Sequence, residues 1–569
     1  MHLVLASINC GETDTLVDTN GIIWTPDTNL ISNGVARVVQ SSNQITPIVD
    51  TLRVFTSRRK NCYSVPVTKG EKVLVRVLFN YGNYDRLSNP PTFDIHFDGN
   101  YWTTVQTALT GLTMHEVTYV TKGDAVSVCL AQTKSGQFPI ISTLEVRGLD
   151  SEIYSDLEDS RALFLMSRFS YGASGTLRYP SDPYDRIWLA RTAGTETATS
   201  DAIVIDSTGP NAVPSGVLRN AATVGSTTDR LLVATISPIS FPVYMNMYFS
   251  EVSNLDSTET RSFKAYETNS SGTSPFSPTI SPPYGSLLES TIYDYSVDSM
   301  TNISLVADAD SDYPPLVNAI EAFYISGVLT EGTDSNDVEA LGLLQTTFDV
   351  LGEWKGDPCL PAGYSWDWLN CSNDAIPRVT SLHLDSFGLS GSLPDISSMD
   401  ALEIIDFHNN SFTGTIPSSL GTMPNLKELN LGNNKLSGSV PSSLSKNNKL
   451  KLIITGNPLC TASSKACSNS PATINSSPDN TAVASKKKSN MLPVVLGVTI
   501  PAFFLMWIAA GNGAYGGQTN AKFDGFQTTT TSGEHVDVTV NNEGNQTFGS
   551  PSPLLDENYN HNNSDDATH

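Results

Sequence analysis

Basic charge is in short supply in this 569-residue chain: 33 lysines and arginines face 58 aspartates and glutamates, a formal net charge of −25. That deficit excludes nucleic acid as a natural partner, because phosphate binding rests on a basic face that releases counterions. Charge of either sign is sparse, 16% of residues against roughly 25% in an average globular protein. Catalytic signatures are missing too: the sequence holds no GxSxG, HExxH, Walker A or protein-kinase motif. No CxxC occurs, and none of the scattered histidines stands at zinc-ligand spacing from a cysteine, so no metal or other cofactor is expected. No two carboxylates stand out as a glycosidase pair. Together these absences argue against an enzyme. Global disorder is excluded from the other side, since 39% apolar content suffices for real cores. Ser, Thr and Asn fill the place that charge leaves, a mix that reads as β-rich and secreted.

Two motifs that do occur are decoys. Gly511, Gly513 and Gly516 spell GxGxxG, but after an apolar run rather than a strand. Asp308, Asp310 and Asp312 open like a calcium loop, yet Tyr313 takes the glycine position and Ala319 the bidentate glutamate position, which excludes an EF-hand.

Of the seven cysteines, Cys359 with Cys371 and Cys460 with Cys467 are short-range pairs that bracket one region, as end staples would. Cys62 and Cys129 are the candidate third pair, which leaves Cys10 odd. The sequons at Asn269, Asn302, Asn370, Asn409 and Asn475 add to the case for an oxidising, glycosylating compartment.

Met491 to Ala510 is a run of twenty residues without a charge, long enough as a helix to cross a bilayer core of about 30 Å. Only six residues precede Ser7, too few for a signal peptide's apolar region. Lys486 to Lys488 precede the apolar run, whereas the tail from Asn512 carries one lysine and eight acids. Taken alone, that asymmetry would put the large N-terminal part in the cytosol. The sequons and cysteine pairs require the opposite. The expectation is therefore a sequence missing a signal peptide and a basic stretch after Ala510, with residues before the run extracellular.

Residues up to about 330 read as strands. Lys72 to Phe79 sets Val73, Val75, Val77 and Phe79 on one face and Leu74, Arg76 and Leu78 on the other; Thr92 to Phe97 and Thr143 to Arg147 follow suit. A weak duplication links VRVLFNYGNYD…PTFDIHFDG to MNMYFSEVSNLD…RSFKAYETN, with Phe79 and Phe93 spaced like Phe249 and Phe263. Two tandem β-sandwiches explain it, at 7–150 and 151–330. A junction at 331–378 begins with a helical pattern from Asp337 to Leu351 and ends in a cap closed by Cys359 and Cys371. From Val379, Leu382-x-Leu384, Ile405-x-Phe407, Leu429-x-Leu431 and Leu452-x-Ile454 recur every 23 or 24 residues, with Asn410, Asn434 and Asn457 in constant phase. This is a leucine-rich-repeat solenoid at 379–467, in which each Asn side chain bonds the backbone of adjacent turns. A polar linker at 468–490, the membrane helix at 491–510 and a disordered tail at 511–569 complete a mainly β chain.

INCG at 8–11, GIIWTPD, NCY at 61–63, VRVLFNYGNYD, FDIHFDG, VCL at 128–130 and FPIISTLEV together resemble the tandem ectodomain of the plant malectin-like receptor family. WKGDPCLP…W…LNC followed by LSGSLP-type repeats is similar to the leucine-rich part of its receptor kinases. No kinase motif follows the apolar run, so the nearest likeness is the kinase-less receptor-like branch, described as diglucose-binding proteins with leucine-rich repeats. The resemblance implies a single-pass plasma-membrane protein that binds a cell-wall or glycoprotein oligosaccharide, or a peptide, and acts through a receptor-kinase coreceptor. The alternatives are an anchored carbohydrate-binding module without a signalling role and an extracellular carbohydrate-active enzyme. Tyr81, Tyr84 and Asp85 are the candidate ligand residues, because aromatic faces stack on sugar C–H groups while an acid fixes hydroxyls. Tyr101 and Trp102 are weighed with them.

Overall fold

The computed structural model describes residues 4–191, 196–239 and 241–459. Five expectations fall outside the described residues. They are the disulfide between Cys460 and Cys467 that was to close the far end of the solenoid, the polar linker, the sequon at Asn475 within it, the membrane helix in the apolar run, and the disordered tail. The disulfides that the described residues do form are Cys62 with Cys129 and Cys359 with Cys371; the Cys467 bond is not among them, because neither of its partners is described. Among the described residues, no helix is long and apolar enough to cross a membrane.

The strand Lys72–Phe79 has the length and boundaries that its alternation predicts. Both of its faces are buried, however. Val73, Val75, Val77 and Phe79 enter the main core, while Leu74 and Leu78 join a second cluster on the opposite side. The reason is a continuous eleven-stranded sheet that runs through both halves of the region. Thr113–Val120 from the first half pairs with Leu163–Tyr171 from the second, joining Val117 to Phe164. The two sandwiches thus share one sheet. A separate four-stranded sheet covers each half: Lys60–Pro66, Ala125–Ala131, Thr92–Phe97 and Asn100–Gln106 in the first, and Leu231–Ile236, Thr301–Ala307, Phe263–Asn269 and Gly272–Pro275 in the second.

The duplication is visible ring by ring. Phe79 and Phe93 meet edge to face with centroids 5.5 Å apart, and Phe249 and Phe263 repeat the contact at 5.5 Å. The chain ending repeats as well: Ile140–Ile141 and Leu316–Val317 each pair in a small outer sheet before Thr143–Gly148 and Ala319–Ile325 enter the shared one.

Three of the quoted motifs converge on one buried carboxylate. Asp27 takes two bonds from Arg53, one from the Tyr63 hydroxyl at 2.8 Å and one from the Gly11 amide at 3.1 Å. Gly11 has φ +81°, and a Cβ there would lie 2.4 Å from the Leu52 carbonyl oxygen, so no other residue fits. Cys10 is buried as a free thiol beside this cluster, where desolvation pushes its pKa well up. Cys62 and Cys129 are directly paired residues of adjacent strands, which brings their sulfurs together.

The junction helix is Ser335–Thr347, two residues earlier than its apolar spacing predicts, because Asp334 caps it by accepting the Asn336 amide. Asp349–Leu351 is a separate 3₁₀ turn. The bond between Cys359 and Cys371 closes the cap. Beyond it, strands Val379–His383, Ile404–Asp406, Glu428–Asn430 and Lys451–Ile453 stack in parallel, with Leu382, Ile405, Leu429 and Leu452 in register. Asn434 accepts the Phe412 amide and donates to the carbonyls of Phe407 and Leu431; Asn410 and Asn457 make the equivalent bonds one turn before and after.

The cap folds back onto the first sandwich. Arg58 lies 3.8 Å above the Trp354 ring and bonds Glu353 at 2.6 Å. The buried Lys60 ammonium donates to the Asp357 and Leu360 carbonyls at 2.7 and 2.8 Å. Gly356 sits directly on the Cys62–Cys129 bridge, where a Cβ would lie 2.7 Å from each sulfur.

Candidate ligand-binding site

The candidate residues occupy the loop between Lys72–Phe79 and Thr92–Phe97. Asn80 anchors its start by donating to the Val49 carbonyl from inside the core. Gly82 follows at φ +48°, with Val39 where a Cβ would go, and its carbonyl accepts from the Gln40 amide and the Asn43 side chain. Asn83, Arg86 and Ser88 all take positive φ, between 51° and 63°. Three non-glycine residues in that region within six positions store strain, which persists only where side-chain bonds over-determine the loop.

Tyr81 supplies those bonds. Its ring is fully buried in the main core, its hydroxyl donates to Asp85 Oδ1 at 2.5 Å, and it accepts the Asn89 amide at 3.1 Å. This corrects the sequence expectation: Tyr81 has no face to offer a ligand and acts as the loop's internal brace. Trp102 is likewise core, packed against Phe97. Tyr101 is half-buried on the outer four-stranded sheet, with its hydroxyl bonded to Thr104.

Tyr84 and Asp85 remain at the surface. Tyr84 stands edge-on to Tyr81 with centroids 5.6 Å apart and is half-buried. Burial first, and then the Asp85 charge, push its phenol up to about 12, while Arg37 opposes the shift; the hydroxyl is therefore a neutral donor at physiological pH. Asp85 Oδ1 also accepts the Leu87 amide at 3.0 Å, and its Oδ2 has no protein partner among the described residues. The site thus presents a phenol and a half-free carboxylate, with Arg37 on the neighbouring Val35–Val38 strand and the exposed Leu87 beside them. Such a surface stacks and hydrogen-bonds; it holds no nucleophile–base pair. Arg37 has no local sequence signal, since it lies far from the loop along the chain and is brought to it by the contacts that Val39, Gln40 and Asn43 make with Gly82. Of the described sequons, Asn370 and Asn409 are exposed, and Asn269 and Asn302 are half-buried.

The Malectin-like domain family matches residues 8–325, more than half of the chain, and the Leucine Rich Repeat family matches 401–423 and 425–447. The chain belongs to the malectin-like domain family. Among curated relatives, it is 33% identical over 417 residues to the probable LRR receptor-like serine/threonine-protein kinase At1g51860 of Arabidopsis thaliana, an alignment covering 70% of this chain and 46% of the kinase. It is 34% identical over 334 residues to the uncharacterized protein At1g24485 of the same species, covering 58% of this chain and 66% of that protein. The malectin-like chain therefore spans about half the length of the receptor-like kinase it matches. Among solved structures, the ANX2 ectodomain from Arabidopsis thaliana aligns with 57% of this chain and 97% of its own at 18% identity and a TM-score of 0.50, a likeness of fold.

Proposed function

We propose that this malectin-like protein is a single-pass cell-surface receptor-like protein. It binds an extracellular oligosaccharide or peptide and acts through a receptor-kinase coreceptor, by binding rather than by turnover. The observation that carries the reading is continuity. The match to a receptor-like kinase covers 70% of this chain, more than the sandwich region alone occupies, and Arg58 and Lys60 of the first sandwich pack against Gly356 and its neighbours in the repeat cap. A ligand held on the sandwich and a partner held on the solenoid would then be fixed in one mutual geometry. In this reading the catalytic step falls to a receptor kinase that partners this chain.

Within that reading, Tyr84 and Asp85 are the ligand contacts, with Arg37 flanking them. A glycan array of the full chain, run beside Tyr84→Ala and Asp85→Ala, tests the contact. Signal lost in both variants supports a sugar site, whereas unchanged glycan binding retires it. Glycan binding with no receptor kinase co-purifying would favour the anchored carbohydrate-binding module instead.

A further inference from the structure

The solenoid strands turn Leu382, Leu384, Ile405 and Phe407 into the core and leave the residues between them outward. In the first two turns those outward positions hold His383, Asp385, Asp406 and His408, and the parallel register sets His383 beside Asp406. One donor atom from each of Asp385, Asp406 and His408 lies within 4.8 Å of the other two, and all three residues are half-buried. Asp406 Oδ1 faces His408 Nδ1 at 2.6 Å and accepts the His408 amide at 3.1 Å, which fixes the imidazole. Asp385 makes no hydrogen bond or ion pair among the described residues, yet its carboxylate is held against the same imidazole. A surface ion pair needs one acid. Two carboxylates on one imidazole concentrate negative charge that a cation between them, a ring proton or a metal ion, neutralises.

We infer that Asp385, Asp406 and His408 are a three-ligand site for a divalent first-row transition cation, and we commit to Zn²⁺. Two carboxylates neutralise its charge, and the imidazole selects against Ca²⁺ and Mg²⁺, which favour all-oxygen shells. Three protein ligands leave a fourth, solvent-facing position open on a tetrahedral ion. On binding, the ion takes the lone pair of the ring nitrogen that faces Asp406, and the N–H moves to the other ring nitrogen. Where the ring is protonated, that proton leaves to solvent as the ion binds. The 2.6 Å contact opens to the roughly 3.3 Å separation of tetrahedral ligands that each lie about 2.0 Å from the ion.

The test titrates ZnCl₂ into the full chain, in detergent and stripped with chelator, by calorimetry. We expect one saturable site that excess Ca²⁺ does not displace and that Asp385→Asn and His408→Gln each weaken at least about tenfold, while His383→Gln leaves it unchanged. No saturable binding overturns the inference. So does Zn²⁺ binding of equal strength in both variants, which would mark adventitious capture elsewhere, as at His535 or His561. Should a variant fail to fold, Co²⁺ added to the unaltered chain decides: tetrahedral visible bands support the site, and a purely octahedral spectrum overturns it.

Discussion

Tyr81 and Tyr84 are three residues apart and do opposite jobs. The first is a core ring whose hydroxyl closes the loop through Asp85 and Asn89; the second keeps an exposed edge. Tyr81→Phe is therefore expected to cost about 1–2 kcal/mol in urea unfolding, because it strands the Asn89 amide and loosens Asp85. Tyr84→Ala should instead show its main effect in ligand binding. His115 gives a second residue-scale prediction. It is buried, its Nε2 has no partner among the described residues, and desolvation lowers its pKa to about 4. A folded value below the unfolded one of about 6.5 means that stability is full above about pH 6.5 and is lost as pH falls from there toward 4. At about pH 5 the loss is roughly 2 kcal/mol. The unfolding free energy of His115→Asn, measured at about pH 7.5 and pH 5, should lack that increment. The loop's composition marked it as a site, but which tyrosine faced inward was not legible. That depends on Val39 and Asn43, which reach the loop through the fold alone.

Across the shared sheet, the strands carry a row of alternating charge that no single strand displays. Glu145, Arg76 and Glu116 are direct cross-strand partners, Arg168 bonds Glu116, and Glu321 is paired with Arg168. Arg147, two residues on from Glu145 in the same strand, and Arg178, Arg186, Asp182 and Asp185 from the loop above close the row, giving five arginines and five acids, all buried. Opposite charges directly across a ladder attract, and their burial makes each partner indispensable to the other. Asp185 lies against Arg178, Arg147 and Arg76, which hold its carboxyl below the usual carboxylate range against the opposing effect of burial. Asp185→Asn should cost about 3–5 kcal/mol in denaturant unfolding, since it leaves guanidinium groups uncompensated. A loss under about 1 kcal/mol would show that the row is not a stabilising unit. In the solenoid, Asn434→Ala removes a buried side chain that satisfies backbone groups of two turns, and a loss of roughly 2–3 kcal/mol is expected. The Asn ladder and the strand spacing were legible because they repeat along the chain. The charged row was not: Arg76 reads locally as a solvent-side residue, and only the pairing of the two halves buries it.

At the scale of the molecule, the chain is two sandwiches on one sheet, with a repeat cap returned onto the first. Local pattern recovered the sandwich and repeat classes and the duplicated phenylalanines but not this docking, because the contacts from Arg58 and Lys60 to residues 353–360 span nearly three hundred positions. Arg58→Ala removes the ring contact and the Glu353 bond. It should speed proteolytic cleavage within the junction 331–378 while costing only about 1 kcal/mol of stability. The central claim is that this assembly binds an extracellular ligand and works through a kinase-bearing partner. Its most direct test is purification of the tagged full chain from its native cell surface, with and without ligand-bearing wall extract, followed by identification of the bound proteins. The account predicts a receptor kinase whose recovery rises with the extract and falls in Tyr84→Ala and Asp85→Ala; a chain recovered alone under both conditions would contradict it.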